Sequence, residues 1–462
     1  MKPAIGALAL FAALAFSASA SAQEEKAKPQ TLFTNVHVFD GTNDKRIENA
    51  NVLVEGKLIK KISTDQIDAP DALVIDGGGR TLMPGLIDSH THLNLSMDGG
   101  RPGMEISRWD YIASIGAAAA QEWFADGITT VRDMGGMSDG LKRVIDAGLI
   151  VGPRIYPSAG MISQTAGHAD MRLESQTNPA ENNLAKLGII HVADGPDEVR
   201  KAVRKNFNLG ATQIKLMMAG GVASNKSPFS SSQYTDEEIR VAVEEAATRG
   251  TYVAVHVYRD EHIRRALELG VMSIEHGQFL QEETARLMKE KGAFIAAYIA
   301  SVQSDEILTH PVYGNPETFE YERTLMMKEG TKHFVDVIKK VKPKLVFSID
   351  VVSTNGVAAR RHRDHEKWIF AESFGNFEAL KAMTSVGGEL AMLTGDSNPY
   401  PHKLGVIEDG AYADIIVVDG NPLENISVLG GSSKWFNANP REKGIKTIRV
   451  IMKDGKVYKN TL

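Results

Sequence analysis

Pro84-Gly85-Leu86-Ile87-Asp88-Ser89-His90-Thr91-His92 is an apolar run that ends in two histidines two residues apart. Side chains along an extended strand repeat with a period of 2, so both imidazoles project from one face and can grip one ion. Taken alone, such a pair is as readily a hydrogen-bonded structural pair. Its place at a strand end gains weight from the downstream sequence. Strand-like apolar runs recur at residues 127–133, 154–161, 212–218, 251–257, 271–275, 293–298 and 345–350, each succeeded by a helical pattern. With residues 85–89 they make eight β-runs, the alternation expected of an α/β fold of the (β/α)8 TIM-barrel type over residues 84–403.

Outside this stretch the texture changes. Residues 32–39, 50–54, 58–62 and 72–75 read as short strands separated by turns such as Asp40-Gly41 and Glu55-Gly56. The same pattern returns at 414–418 and 445–452, with Asp419-Gly420 and Asp454-Gly455 as turns. The two ends, 32–83 and 404–462, are therefore expected to pair into one small β-sandwich domain, with the barrel as a single insertion.

The chain has 462 residues, 43% hydrophobic and 24% charged, enough apolar material for a large core. Net charge is −6 and no basic block appears, which argues against a nucleic-acid partner. Cysteine is absent, excluding disulfides, thiolate nucleophiles and iron–sulfur clusters, so a metal must be held by His, carboxylate or a modified side chain. Lys2, an apolar run over residues 4–16 and the small-residue stretch ending in Ala20-Ser21-Ala22 read as a cleaved export signal, 1–22, too short to span a membrane. Residues 23–31 come next as a leader. The expected product is an exported enzyme, periplasmic or secreted, with no stable membrane anchor.

Further strand ends carry polar groups: Lys215 in Ile214-Lys215-Leu216-Met217, His256 in Val253-Ala254-Val255-His256, His276 in Ile274-Glu275-His276-Gly277, and Asp350 in Ser348-Ile349-Asp350. In a barrel these ends converge on the catalytic face. A single such histidine is commonly a packing residue and a single aspartate a cap, but five convergent positions are hard to explain that way. An ammonium amid Ile, Leu and Met is the sharpest, since a buried charge needs a partner or a modification; a salt bridge to Asp350 or a glutamate is the plain alternative.

The series His90-x-His92, Lys215, His256, His276 and Asp350, with the flanking Pro-Gly-Leu-Ile-Asp and the late Gly405-Val406-Ile407-Glu408-Asp409-Gly410-Ala411-Tyr412-Ala413-Asp414-Ile415, resembles the amidohydrolase superfamily over nearly all of the mature chain. Within it the chain is most similar to the prolidase-like and imidazolonepropionase-like branch, which includes metal-dependent carboxypeptidases and ochratoxinase-type enzymes. The resemblance implies that Lys215 is N-carboxylated and bridges two zinc ions. It implies His90, His92 and Asp350 on the first ion, His256 and His276 on the second, and a shared hydroxide whose proton Asp350 passes to the leaving amine. His168, in Thr165-Ala166-Gly167-His168-Ala169-Asp170, resembles the family histidine that meets the carbonyl oxygen or the substrate carboxylate; a surface-loop histidine is the plainer alternative.

Tyr258 lies two residues past His256, on the same face of a strand, where a phenol can hold a substrate carboxylate or simply pack in the core. The cluster Arg360-Arg361-His362-Arg363-Asp364-His365 is expected in a long loop after Asp350, each residue solvated or one arginine reaching an anionic substrate. The implied substrate is a small amide or dipeptide with a free carboxylate, and since relatives commonly assemble, a homo-oligomer is expected. A mononuclear hydrolase or deaminase of a cyclic nitrogen substrate fits less well, because a single ion needs no bridging lysine. A non-catalytic binding protein fits less well again, because decay would erode the ligand series.

Overall fold

The computed structural model describes residues 28–224 and 226–462; the stretch 1–22, expected from sequence to be an export signal, lies outside the described residues. Four strands come from the N-terminal end, β1 (Gln30–Val38), β2 (Ile47–Glu55), β3 (Leu58–Ser63) and β4 (Leu73–Pro84). The middle contributes β5 (Leu86–Thr91), β6 (Ile128–Asp133), β7 (Arg154–Pro157), β8 (Met161–Ser163), β9 (Ile190–Val192), β10 (Ile214–Met217), β11 (Val253–Arg259), β12 (Ser273–Phe279), β13 (Phe294–Ala297) and β14 (Lys344–Phe347). The C-terminal end supplies β15 (Ile415–Val418), β16 (Ile448–Lys453) and β17 (Lys456–Asn460).

The two chain ends form one sheet in the order β17-β16-β15-β4-β1-β2-β3. Its seam is the antiparallel pair β15 and β4, with Ile415 opposite Pro84 and Val418 opposite Thr81. Period-2 alternation sorts the side chains: Val52, Val54, Ile415, Val417, Val450 and Met452 share one buried cluster. Ile416, Val418, Ile448 and Ile451 face the other way and pack with Phe124 and Ile128 in the main core. The start of β3 meets the segment before β15 through the Leu58–Tyr412 bridge and the hydrogen bond from Ile59 N to Ala411 O, 2.9 Å, so the sheet folds back on itself. β4 runs through the three glycines 77–79. Val36 of β1 occupies the space where a Cβ on Gly77 would lie, 2.2 Å from its Cγ1, and the chain bulges there.

The middle strands pair in parallel in two sheets, β14-β13-β12-β11-β10-β8-β9 and β5-β6-β7. All eight expected β-runs are strands. The third is interrupted: Ala159 takes a left-handed backbone and Gly160 packs against Gly188 O, so β7 and β8 are separate. Hydrogen bonds link the sheets at both margins, from Thr212 N to Pro157 O at 2.8 Å and from Asp350 N to His90 O at 2.9 Å. Because the pairing is parallel, the carboxyl ends of these strands lie on one side of the molecule.

Candidate metal centre

His90 and His92 stand at the end of β5, both buried, with their Nε2 atoms 3.3 Å apart. The other nitrogen of each ring is committed. His92 Nδ1 lies 3.0 Å from Gly135 O, and a carbonyl only accepts, so Nδ1 carries the hydrogen and Nε2 the lone pair. His90 Nδ1 lies 2.7 Å from Glu275 Oε2, the same arrangement with a carboxylate. Asp350 Oδ1 completes the triangle, 3.6 Å from His90 Nε2 and 3.5 Å from His92 Nε2. These three residues offer ligand atoms that all lie within 4.8 Å of one another. Burial, then the nearby Lys215, holds both imidazoles below their usual range, His92 at about 4. Neutral rings with converging lone pairs beside a carboxylate are the donor set of a divalent cation.

Lys215 lies in a fully buried strand with Nζ 3.4 Å from His90 Nε2. Among the described residues no carboxylate comes within ion-pair distance of it, so the salt bridge weighed from sequence does not form. Burial lowers its pKa; the more distant Glu275 and Asp350 act in the opposite sense. His256 is on β11, its Nε2 3.3 Å from Gly220 O. The His276 ring lies 4.4 Å from that of His256 and 5.3 Å from that of His90. His276 Nδ1 is buried without a hydrogen-bond partner among the described residues and sits 3.8 Å from Asp350 Oδ2. This imidazole nitrogen is thus a buried polar atom whose hydrogen-bonding capacity is unused and which faces a carboxylate. Asp350 lies three residues beyond the end of β14, not on the strand, and burial raises its pKa. Both His276 and Asp350 hold left-handed backbone, φ 77 and 50, a conformation that non-glycine residues adopt only where surrounding contacts offset its strain.

His168 stacks on His256 with ring centroids 3.9 Å apart and planes 13° off parallel. Gly221 makes this possible: a Cβ there would lie 2.9 Å from His168 Cε1 and 3.2 Å from His256 Nε2. Tyr258 stacks on His276 at 5.0 Å, and Tyr298 approaches the same ring edge-on at 5.4 Å. Tyr258 is buried, so its packing and its access to the site coexist. Arg323 was not singled out from sequence; its Nη1 donates to Gly221 O at 2.8 Å and Ser224 O at 2.6 Å, at the edge of this cluster.

The expected loop after Asp350 is instead the helix Gly356–Phe374. Its charges are used internally. Arg363 pairs with the buried Asp126, Arg360 with Glu122, and Asp364 with Arg441. Glu366 accepts hydrogen bonds from Ile299 N and Ala300 N, both 2.8 Å. Arg360 and Arg363 are thus neither solvated nor aimed at a substrate. Dense charge hid the helical period, and the partners lie more than 60 residues away along the chain.

Residues 81–458 match the family model described as the amidohydrolase family. Ochratoxinase of Aspergillus niger is 28% identical over 433 residues, spanning 89% of this chain and 83% of that protein. Its crystal structure is similar with a TM-score of 0.77 at 26% identity, over 94% of this chain and 96% of that one. An amidohydrolase of solved structure is 34% identical with a TM-score of 0.81, over 94% and 100% of the two chains. A prolidase complexed with N-methylphosphonate-L-proline is 31% identical with a TM-score of 0.80 over the same shares, 94% and 100%.

Proposed function

The chain belongs to the amidohydrolase family and is a metal-dependent hydrolase of carbon–nitrogen bonds, and from that premise we propose that it cleaves the amide of an N-acyl amino acid or dipeptide bearing a free C-terminal carboxylate, ochratoxin-type amides included. The observation that carries this reading is the convergence of four imidazoles, Asp350 and a buried lysine without a carboxylate partner on one point. His90, His92 and Asp350 would hold one zinc ion, His256 and His276 a second. An N-carboxylated Lys215 would bridge them: its lowered pKa raises the fraction of neutral amine, which adds to carbon dioxide with loss of a proton. Two divalent cations bound there would supply a nucleophilic water at neutral pH and polarise the scissile carbonyl.

The chain's own groups do the rest. Asp350, with Oδ1 toward His90 and His92 and Oδ2 toward His276, takes the proton of the attacking water and returns it to the leaving amine. His168, held by its stack on His256, faces the carbonyl oxygen. Tyr258 and Arg323 flank the same space with a phenol and a guanidinium suited to the free carboxylate. We read the two parallel sheets as arcs of one (β/α)8 barrel spanning 84–403 and the folded mixed sheet as its β-sandwich, in an exported enzyme that self-associates.

The test is a screen of zinc-loaded mature protein against acyl amino acids and dipeptides that differ only at the C-terminal residue. Turnover with a preference for one residue is the expected result. Ammonia release from cyclic nitrogen compounds, with all these amides left intact, would overturn the proposal in favour of the deaminase alternative.

A further inference from the structure

Glu275 immediately precedes His276 in β12 and is fully buried, yet the proposed chemistry gives it no role. Its carboxylate is saturated. Arg132 Nη2 donates to both oxygens at 2.8 Å, Ser273 Oγ donates to Oε1 at 2.6 Å, and His90 Nδ1 meets Oε2 at 2.7 Å. Arg132 is pinned in turn: its Nε donates to Ser89 O at 2.5 Å, and its Nη1 to Tyr252 Oη at 3.2 Å and Ser273 Oγ at 3.0 Å. All donors on this side face a group that can only accept while ionised. The one hydrogen-bonding role left to His90 Nδ1 is that of donor.

We propose that Glu275, locked by Arg132, is a positioning residue that holds His90 in the Nδ1-protonated tautomer and so aims the bare Nε2 at the metal. This rests on the metal-dependent reading above and deepens it. The two residues are 185 positions apart in sequence, and the link runs from the sixth β-run back to the first. A histidine free to take either tautomer would present an N–H to the ion for part of the time. Loss of a carboxylate partner behind a ligating imidazole typically weakens metal binding by about 10- to 100-fold.

Two arms separate this role from simple structural support. Zinc affinity is measured by competition with a chromophoric chelator for the full mature chain, Glu275→Gln, His90→Ala and the double variant. Glu275→Gln is expected to bind about 10- to 100-fold more weakly than the parent and to cause no further loss in the His90→Ala background. Unchanged affinity, or an equal loss with and without His90, overturns the proposal. Should Glu275→Gln fail to fold because Arg132 is left unpaired, histidine-selective 15N NMR of the metal-free parent decides it. The His90 signals are expected to show a protonated Nδ1 and an unprotonated Nε2, and the opposite tautomer refutes the assignment. A parent that binds no divalent metal would instead refute the proposed function, a distinct outcome.

Discussion

Replacing Lys215 with methionine should raise the stability of the metal-free protein while removing its metal. The side chain is 1% exposed, lies between Ile214 and Leu216 in a fully buried strand, and has His90 Nε2 as a polar neighbour at 3.4 Å. Without metal or carbamate, the fold carries an amine whose charged form burial disfavours. Exchanging buried charged groups for apolar ones of similar volume commonly stabilises by about 1–4 kcal/mol. Unfolding entropy near 2.1 cal/mol/K per residue gives on the order of 0.9 kcal/mol/K for a chain of this size, so Lys215→Met should melt about 1–4 °C above the parent once both are stripped by chelator. In zinc-containing buffer the order should reverse, since ligand binding stabilises only the chain that binds it. Calorimetry with and without chelator, beside elemental analysis, reads both effects. A Lys215→Met protein that melts lower when metal-free and retains the parent's zinc would refute the reasoning and make Lys215 an ordinary structural residue.

Elemental analysis of carefully prepared parent should report about two equivalents of divalent metal per chain; a reproducible single equivalent with full activity counts against the paired-ion proposal. Lys215→Ala should lose metal and rate, both partly restored by a short carboxylic acid in the medium; full retention without the additive would exclude the carbamate. Asp350→Asn should lower kcat by about 100- to 10,000-fold with the fold intact, whereas His168→Ala should lower kcat with metal content unchanged, and near-native kcat in Asp350→Asn would move the proton transfer elsewhere. His191, its pKa lowered by burial to about 4, stays neutral when folded, so between about 6.5 and 4 the unfolded chain binds the extra proton. This contribution, at most about 3 kcal/mol, is complete above pH 6.5 and fades as pH falls toward 4. Denaturant titrations across that range should show a flatter slope in His191→Gln, and an unchanged slope would assign the acid sensitivity to other groups.

Much of the candidate site was legible because a strand that must be apolar makes any polar residue conspicuous. His90, His92, Lys215 and His256 stand out against the Leu, Ile, Val and Met around them, and the alternation of β-runs with helical stretches assigned them to parallel strands, although Lys215 and His256 lie within β10 and β11 and not at their ends. The pairing of the chain ends came from the same local periodicity, seen in β4 against β15. Local periodicity reports which face a side chain takes, but carries no record of what approaches from another strand.

What only the tertiary structure decided is therefore the set of partners. Glu275 sits beside His276 in sequence but serves His90, and Arg132 reaches it from β6. The charged run 360–366 looked solvated because its counter-charges, Glu122, Asp126 and Arg441, are distant along the chain and adjacent only after folding. Asp350 leaves its strand with left-handed backbone, a conformation that residue type does not announce and that surrounding contacts, such as Asp350 N to His90 O, must impose. Sequence alone marked the candidate residues and, Asp350 excepted, the strands they belong to, because burial selects residue type. The hydrogen bonds that set tautomer and aim are properties of through-space neighbours, and those exist only once the sheets have assembled.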